Sequence, residues 1–315
     1  MKTNREIRDE AWNLLWRGGG FVRLAGAGFV LGVVLFGVMA ALACAFRALD
    51  IATLQDFMAA QQQAASQGLG YTASSDGSMV RMIGASLFQS FVQYLLMGIA
   101  TYGVMNLSLK TVRGERGLRA ALAGFGAPFA TFWLMFGVQI RTAFWLLLAV
   151  VPASALVTLT VGNGGGLSYL LMVLVVTVAV VAVLTWVIYR YRNVWLLRAD
   201  HPEWSAGRCI AGSVAMMNGW KMRAAGLDCS YWLSFLGLVP LTAAGVWAAA
   251  KYRLEGLGGF AGTDFLIVGL VGAAAIVYFL VVGWYLMLGH AIFYREQLLE
   301  RTPGGVGEAE KPQEA

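Results

Sequence analysis

Two histidines, His201 and His290, three cysteines and a handful of acids are the residues of this chain best equipped for chemistry. Cys44, Cys209 and Cys229 are widely spaced and contain no C-x-x-C, which argues against a disulfide framework and a zinc site. The densest polar group is Asp200-His201-Pro202-Glu203. Asp200 suits an N-cap, Pro202 a first helical turn and Glu203 a capping-box position. Beyond them Ala206, Ile210, Val214 and Met217 recur at helical spacing, and Gly219 can end the helix. The spacing predicts an amphipathic helix over 203–219, resting on the bilayer or plugging the bundle. The chemical alternative is a gate or a surface for a partner. Asp228 is the acid nearest a span interior, where a carboxylate is expensive unless paired. It either pairs with Arg223, Lys221 or Arg192, or serves a proton or cation relay. A relay would need further acids or an arginine in mid-membrane, and the span cores contain none.

Signatures of nucleophilic, metal or nucleotide chemistry are missing: no GxSxG, HExxH, P-loop or GxGxxG occurs. An enzyme would require Asp200, Glu203 and Asp228 to converge in one pocket. No catalytic, cofactor-binding or metal-ligating residue is therefore expected.

The elements that position these residues are set by composition. Of 315 residues, 59% are hydrophobic, 13% charged, and 39 are glycine. Soluble domains carry about 25% charge. Mean hydropathy is +0.67. The chain reads as an all-α integral membrane protein, which excludes a soluble enzyme, a nucleic-acid-binding domain and a disordered scaffold. A helical crossing needs about 20 apolar residues. Six stretches qualify: 24–46, 82–109, 142–161, 167–189, 227–250 and 265–288. Gly162-Asn163-Gly164-Gly165-Gly166 separates the third from the fourth. Pro152 and Pro240 read as kinks in spans three and five, or as hinges for gating. Gly28 and Gly32 form a small-residue face in span one that permits close helix approach.

The stretch 120–140 carries no charge and is long enough to cross. The distribution of basic residues decides against it. With six spans and a cytoplasmic N-terminus, 19 basic residues fall inside and four outside. A seventh crossing would give 11 inside and 12 outside, erasing the bias expected of cytoplasmic loops. Residues 120–140 are thus expected to lie at the cytoplasmic interface or to re-enter the membrane, broken at Gly124, Gly126 and Pro128. The net charge of +6 follows from the same bias and calls for no nucleic acid.

The non-membrane parts are small. Residues 1–20 read as an amphipathic helix lying on the inner leaflet. Thr3-Asn4-Arg5-Glu6 fits a capping box, and Ile7, Ala11, Leu14 and Leu15 share a face. Trp12 and Trp16 suit headgroup level, and Gly18-Gly19-Gly20 stops the helix. A signal-peptide reading, with Ala41-Leu42-Ala43-Cys44 as a cleavage site, fits less well because span one is too long. Residues 48–80 form an external segment, with a short helix expected around 52–66. Residues 302–315 read as a disordered cytoplasmic tail.

One region is more specific than composition. It runs Tyr189-Arg190-Tyr191-Arg192-Asn193-Val194-Trp195, through Ala199-Asp200-His201-Pro202 and Met216-Met217-Asn218-Gly219-Trp220-Lys221, to Leu233-Ser234-Phe235-Leu236-Gly237. Together with Ala291-Ile292-Phe293-Tyr294, it resembles the DUF975 family of bacterial integral membrane proteins. The resemblance covers the C-terminal half in residues and the N-terminal half in layout. His201 replaces the family's usual Asn, Leu238 stands where Trp is typical, and the hairpin around 162–166 is an addition. The resemblance implies a multi-span protein of the cell membrane. Its wider relatives include the membrane domain attached to some glycerophosphodiester phosphodiesterases, which suggests anchoring or lipid-related work. The matching positions are Asp200, Pro202, Ser213, Gly219, Ser234 and Tyr294, expected with Glu203 and Asp228 to be structural or partner-binding.

The expected function is a non-catalytic membrane component with both termini cytoplasmic. Through its cytoplasmic face it would bind a protein partner or the anionic headgroups of the inner leaflet. The competing expectation is a transporter or channel for a small or lipid-like molecule, drawing on the Pro and Gly breaks.

Overall fold

The computed structural model describes residues 2–48, 78–115, 117–161, 167–255 and 262–301. Among them the chain is helical throughout, with no strand. Five helical stretches are long and apolar enough to cross a membrane: Gly20–Phe46, Ile83–Val112, Pro128–Thr158, Leu170–Asp200 and Ile267–Glu300. They have 27 to 34 residues each, roughly 40–50 Å at 1.5 Å per residue. Their outward faces are apolar, as with Phe36 at 77% and Leu270 at 70% exposure. That inversion of the soluble pattern suits hydrocarbon surroundings. The glycine turn at 162–166, the segment 49–77 and the tail 302–315 lie outside the described residues.

Helix α1 (Asn4–Trp16) starts at the expected capping box. Thr3 Oγ1 accepts from the Glu6 N–H at 3.3 Å, and Glu6 Oε2 accepts from the Thr3 N–H at 2.6 Å. Its apolar face meets protein rather than the leaflet expected from sequence. Ile7, Ala11 and Leu15 are fully buried, packed with α2 (Gly20–Ala48) and the last helix, Gly262–Arg301. Trp12 and Trp16 stay half exposed, with Trp12 edge-on to Tyr285. A Cβ at Gly20 would overlap the Leu14 carbonyl, so the chain can fold back between α1 and α2 only with glycine there. In α2, Gly28 faces Trp284, whereas Gly32 faces open space.

Helix α3 (Ser78–Val112) carries a 3-10 segment, Leu118–Gly126, pressed along its C-terminal third. The contact is backbone against backbone. A Cβ at Gly103 would strike the Ala121 carbonyl, and one at Gly124 would strike the Ile99 carbonyl. Buried Asn106 donates through Nδ2 to the Ala120 carbonyl at 3.0 Å. The break expected within 120–140 is therefore shorter than the sequence suggested. Pro128 opens α4 (Pro128–Val161), a position where its missing N–H is harmless. α4 runs unbroken through Arg141, so 128–140 belongs to the same helix as span three and is no separate interfacial element. Pro152 lies inside α4, as expected.

Helix α5 (Leu167–Arg190) leads through a turn into α6 (Val194–Asp200), then α7 (Ala206–Met216) and α8 (Lys221–Ser230). The expected continuous span 227–250 is broken. After α8 come a 3-10 turn, Trp232–Phe235, and the shorter helix α9 (Leu238–Glu255). The break lets Tyr231 bury its ring beside Tyr285 and against Gly289, which has no room for a Cβ. Pro240 consequently sits in the first turn of α9 and not at mid-span. Helix α10 (Gly262–Arg301) closes the chain. The three cysteines are free: Cys209 is buried, and Cys44 and Cys229 are exposed.

The α3 contact predicts a glycine-specific defect. Gly103→Ala should cost about 1–3 kcal/mol through overpacking. Gly32→Ala should be neutral or stabilising by up to about 1 kcal/mol, because helical alanine outranks glycine. Thermal unfolding of the two variants in one detergent compares them, and equal melting temperatures would contradict the packing.

Candidate functional site

Polar side chains gather where the C-terminal end of α10 meets α1, α3, α6 and α8. Their framework is a stripe on α10: His290, Tyr294 and Gln297, spaced four and three residues apart and so on one helical face. Each grips a different element. His290 Nε2 lies 3.1 Å from Asp228 Oδ1 of α8. Tyr294 donates through its hydroxyl to Asp200 Oδ2, at the end of α6, over 3.1 Å. Gln297 Oε1 accepts from Asn193 Nδ2, just before α6, at 2.7 Å.

Asp228 is the most heavily bonded of these groups. Arg192 holds it bidentately, Nη1 to Oδ2 at 2.6 Å and Nη2 to Oδ1 at 2.8 Å. The Tyr189 hydroxyl donates to Oδ2 at 2.8 Å. The Arg192 side chain is only 6% exposed, and that of Asp228 33%. Of the three cations proposed from sequence, Arg192 is thus the partner. A guanidinium fork and two further donors satisfy a carboxylate that could not otherwise stay charged beside apolar helices.

The other residues singled out by sequence divide into those brought together and those left apart. Asp200 meets Tyr294, and Arg113 Nη2 binds its other oxygen at 2.7 Å, tying the end of α3 to α6 and α10. Asp200 does not cap a helix start: it ends α6, and Ser205 is the N-cap of α7, accepting from the Arg208 N–H at 3.4 Å. Pro202 and Glu203 accordingly lie in the turn before α7, where Glu203 is exposed beside His201 at 3.3 Å. His201 stacks flat on Trp204. Ser213, fully buried on α7, pins the elbow after α5: its Oγ accepts from the Asn193 N–H and donates to the Arg190 carbonyl, both at 3.2 Å. Gly219 takes φ +81° in the turn before α8. Ser234 sits in the 3-10 turn, its N–H bonded to the Tyr231 carbonyl. Asp200, Glu203 and Asp228 each have separate partners.

Sequence reasoning missed Tyr189, Asn193, Arg113 and Gln297 as participants. Of these only Gln297 lay in a readable signal, the polar stripe at helical spacing in α10.

A second network locks α1 onto the opposite side of α10. Lys2 Nζ binds Glu10 at 2.7 Å and Glu296 at 3.4 Å, and Arg295 Nη2 binds Glu10 at 2.9 Å. Arg8 donates to the Ser230 carbonyl and Arg223 to that of Lys2, joining α1 to α8. Burial alone would raise the Glu10 carboxyl, but hydrogen bonds and charge from Lys2 and Arg295 outweigh it and lower it below the ordinary 4.5. Glu6 is lowered by the capping bond from the Thr3 backbone.

A carboxylate lowered on folding stabilises the fold above its unfolded value, and that contribution disappears as pH falls through the folded one. Glu10→Gln should therefore lower the melting temperature at pH 7. The difference from the native chain should hold down to about pH 5 and shrink toward zero below about pH 4. A difference that persists unchanged at pH 3 would contradict the Lys2–Glu10–Arg295 linkage. Compared with known proteins, the chain matches no family model, no curated protein and no solved structure, so its geometry alone carries the functional reading.

Proposed function

We propose that this chain is a non-catalytic, multi-pass component of the cell membrane, whose polar end faces the cytoplasm and binds anionic lipid or a protein partner. In this reading α9, though short, completes a sixth crossing between α8 and α10, and both termini are cytoplasmic. The chain then belongs with the DUF975 family that its C-terminal half resembles. The observation that carries the reading is how the polar groups are used. Asp228, Asp200, Asn193 and Gln297 are all engaged with other side chains of the chain itself, which makes the junction a rigid platform. Basic side chains such as Arg141, Arg208 and Lys221 remain on its outside.

The transporter reading has weaker support. The cavity of about 290 Å³ beside Pro152 is walled by Val175, Val176, Val180 and other apolar side chains of α4 and α5. A second, of about 320 Å³ beside Gly26, is also largely apolar. The first offers none of the polar groups that a solute pathway needs, and the second only Arg119.

Native mass spectrometry of the chain extracted in lipid nanodiscs from its own membrane tests the proposal. The expected result is a stoichiometric companion, either a protein or an anionic phospholipid. A chain that emerges bare, or holding only a small soluble solute, would overturn it.

A further inference from the structure

Beside the Asp228 junction, α4, α5, α7 and α8 enclose an open cavity of about 570 Å³. Three cations from three separate elements line it: Arg141 of α4, Arg190 at the end of α5 and Lys221 at the start of α8. No carboxylate lines it, and among the described residues none of the three cations has an ion-pair partner. Among the described residues Arg141 donates to the Gly137 carbonyl of its own helix, at 3.2 Å.

The other two cations are crowded. Arg190 and Lys221 both lie over the ring of Trp186, at 4.9 and 4.6 Å from its centroid. Trp145 packs edge-on to the same indole and also faces Arg190. The indole offsets part of the repulsion between two like charges, as a ring quadrupole does. Among the described residues neither side chain donates a hydrogen bond to a protein acceptor. Arg190 Nε is buried and has no hydrogen-bond partner among the described residues.

The remaining walls indicate what the acceptor is attached to. Ile210 and Val214 of α7 are apolar, and Asn218 adds an amide at the rim. The site therefore combines converging positive charge, an apolar flank and two tryptophans of the kind that settle at headgroup depth. Its volume falls within the range of small-molecule sites and exceeds what a lone inorganic ion needs.

We infer that this cavity binds a phosphate-bearing anion, either the headgroup of an acidic phospholipid or a soluble phosphate compound. Arg190 and Lys221 clamp the phosphate over Trp186, while Arg141 closes the site. In its lipid form the inference deepens the lipid-binding arm of the proposed function and rests on it; in its soluble form it counts against that arm.

The test uses the full chain in detergent micelles, titrated with phosphatidylglycerol or phosphatidylcholine, with bound molecules counted by native mass spectrometry. Phosphatidylglycerol should bind at one per chain, at least about tenfold more tightly than phosphatidylcholine. Arg190→Gln/Lys221→Gln should lose at least about tenfold of that affinity, whereas Arg5→Gln/Arg17→Gln, with the same loss of charge, should change it less than about twofold. Ala211→Trp should also abolish binding, because it fills the cavity from an exposed position and keeps every charge. Millimolar inorganic phosphate is then added as competitor. Displacement identifies a soluble phosphate compound as the ligand, and resistance identifies the lipid headgroup. Equal binding of the two lipids, equal losses in the two double variants, or an unaffected Ala211→Trp would overturn the inference. Such a failure beside a retained protein companion in nanodiscs leaves the proposed function standing. A specific headgroup site in a chain that emerges bare from nanodiscs would do the reverse.

Discussion

A carboxylate at the edge of an apolar helix bundle stays charged only if a cation and further donors surround it. Asp228 imposes that requirement on this chain. Arg192 supplies the charge, and Tyr189 and His290 complete the shell. The four groups come from the end of α5, the turn after it, α8 and α10. Satisfying one side chain therefore fixes where these segments meet. The short turn after α5 places Arg192 against Asp228, and Ser213 bonds the backbone on both sides of that elbow.

The last helix extends this logic along its length. One face carries His290, Tyr294 and Gln297 to three separate partners, while Arg295 and Glu296 on the other side receive α1 through Glu10 and Lys2. α10 is thus an apolar span at one end and a polar hub at the other. From Phe265 to Gly289 it carries no charge, as hydrocarbon surroundings require, and Asp264 at its far end is paired with Lys251. In the proposed reading, cations such as Arg141, Arg190 and Lys221, which have no ion-pair partner among the described residues, hold acidic groups on a lipid or a protein.

The sequence made some of this legible. Long apolar stretches, the Thr3–Glu6 box and the break near Gly124 and Pro128 are local signals, and local physics decides them. It could not say what an apolar face touches. The stripe Ile7–Ala11–Leu15 would suit lipid or protein equally, and only α10 and its ion pairs decide for protein. Hydropathy likewise made 227–250 one span, whereas burial of Tyr231 beside Gly289 breaks it. Asp200 and Pro202 fit a helix start in pattern, but Ser205 won the cap, and Asp200 was drawn instead to Tyr294 and Arg113. The partners of Asp228 lie 36 to 62 residues away along the chain, beyond any local pattern.

The central claim is that the Asp228–Arg192 pair holds the polar end together, and a double-mutant cycle measures it most directly. Arg192→Met, Asp228→Asn and the combination are unfolded in the same bilayer-mimetic micelle. The account predicts that Arg192→Met costs about 3 kcal/mol, the low end for a broken buried pair because Asp228 is a third exposed. In the Asp228→Asn background the same change should cost far less, giving a coupling above about 1 kcal/mol. Additive effects, with a coupling within about 0.5 kcal/mol of zero, would contradict it.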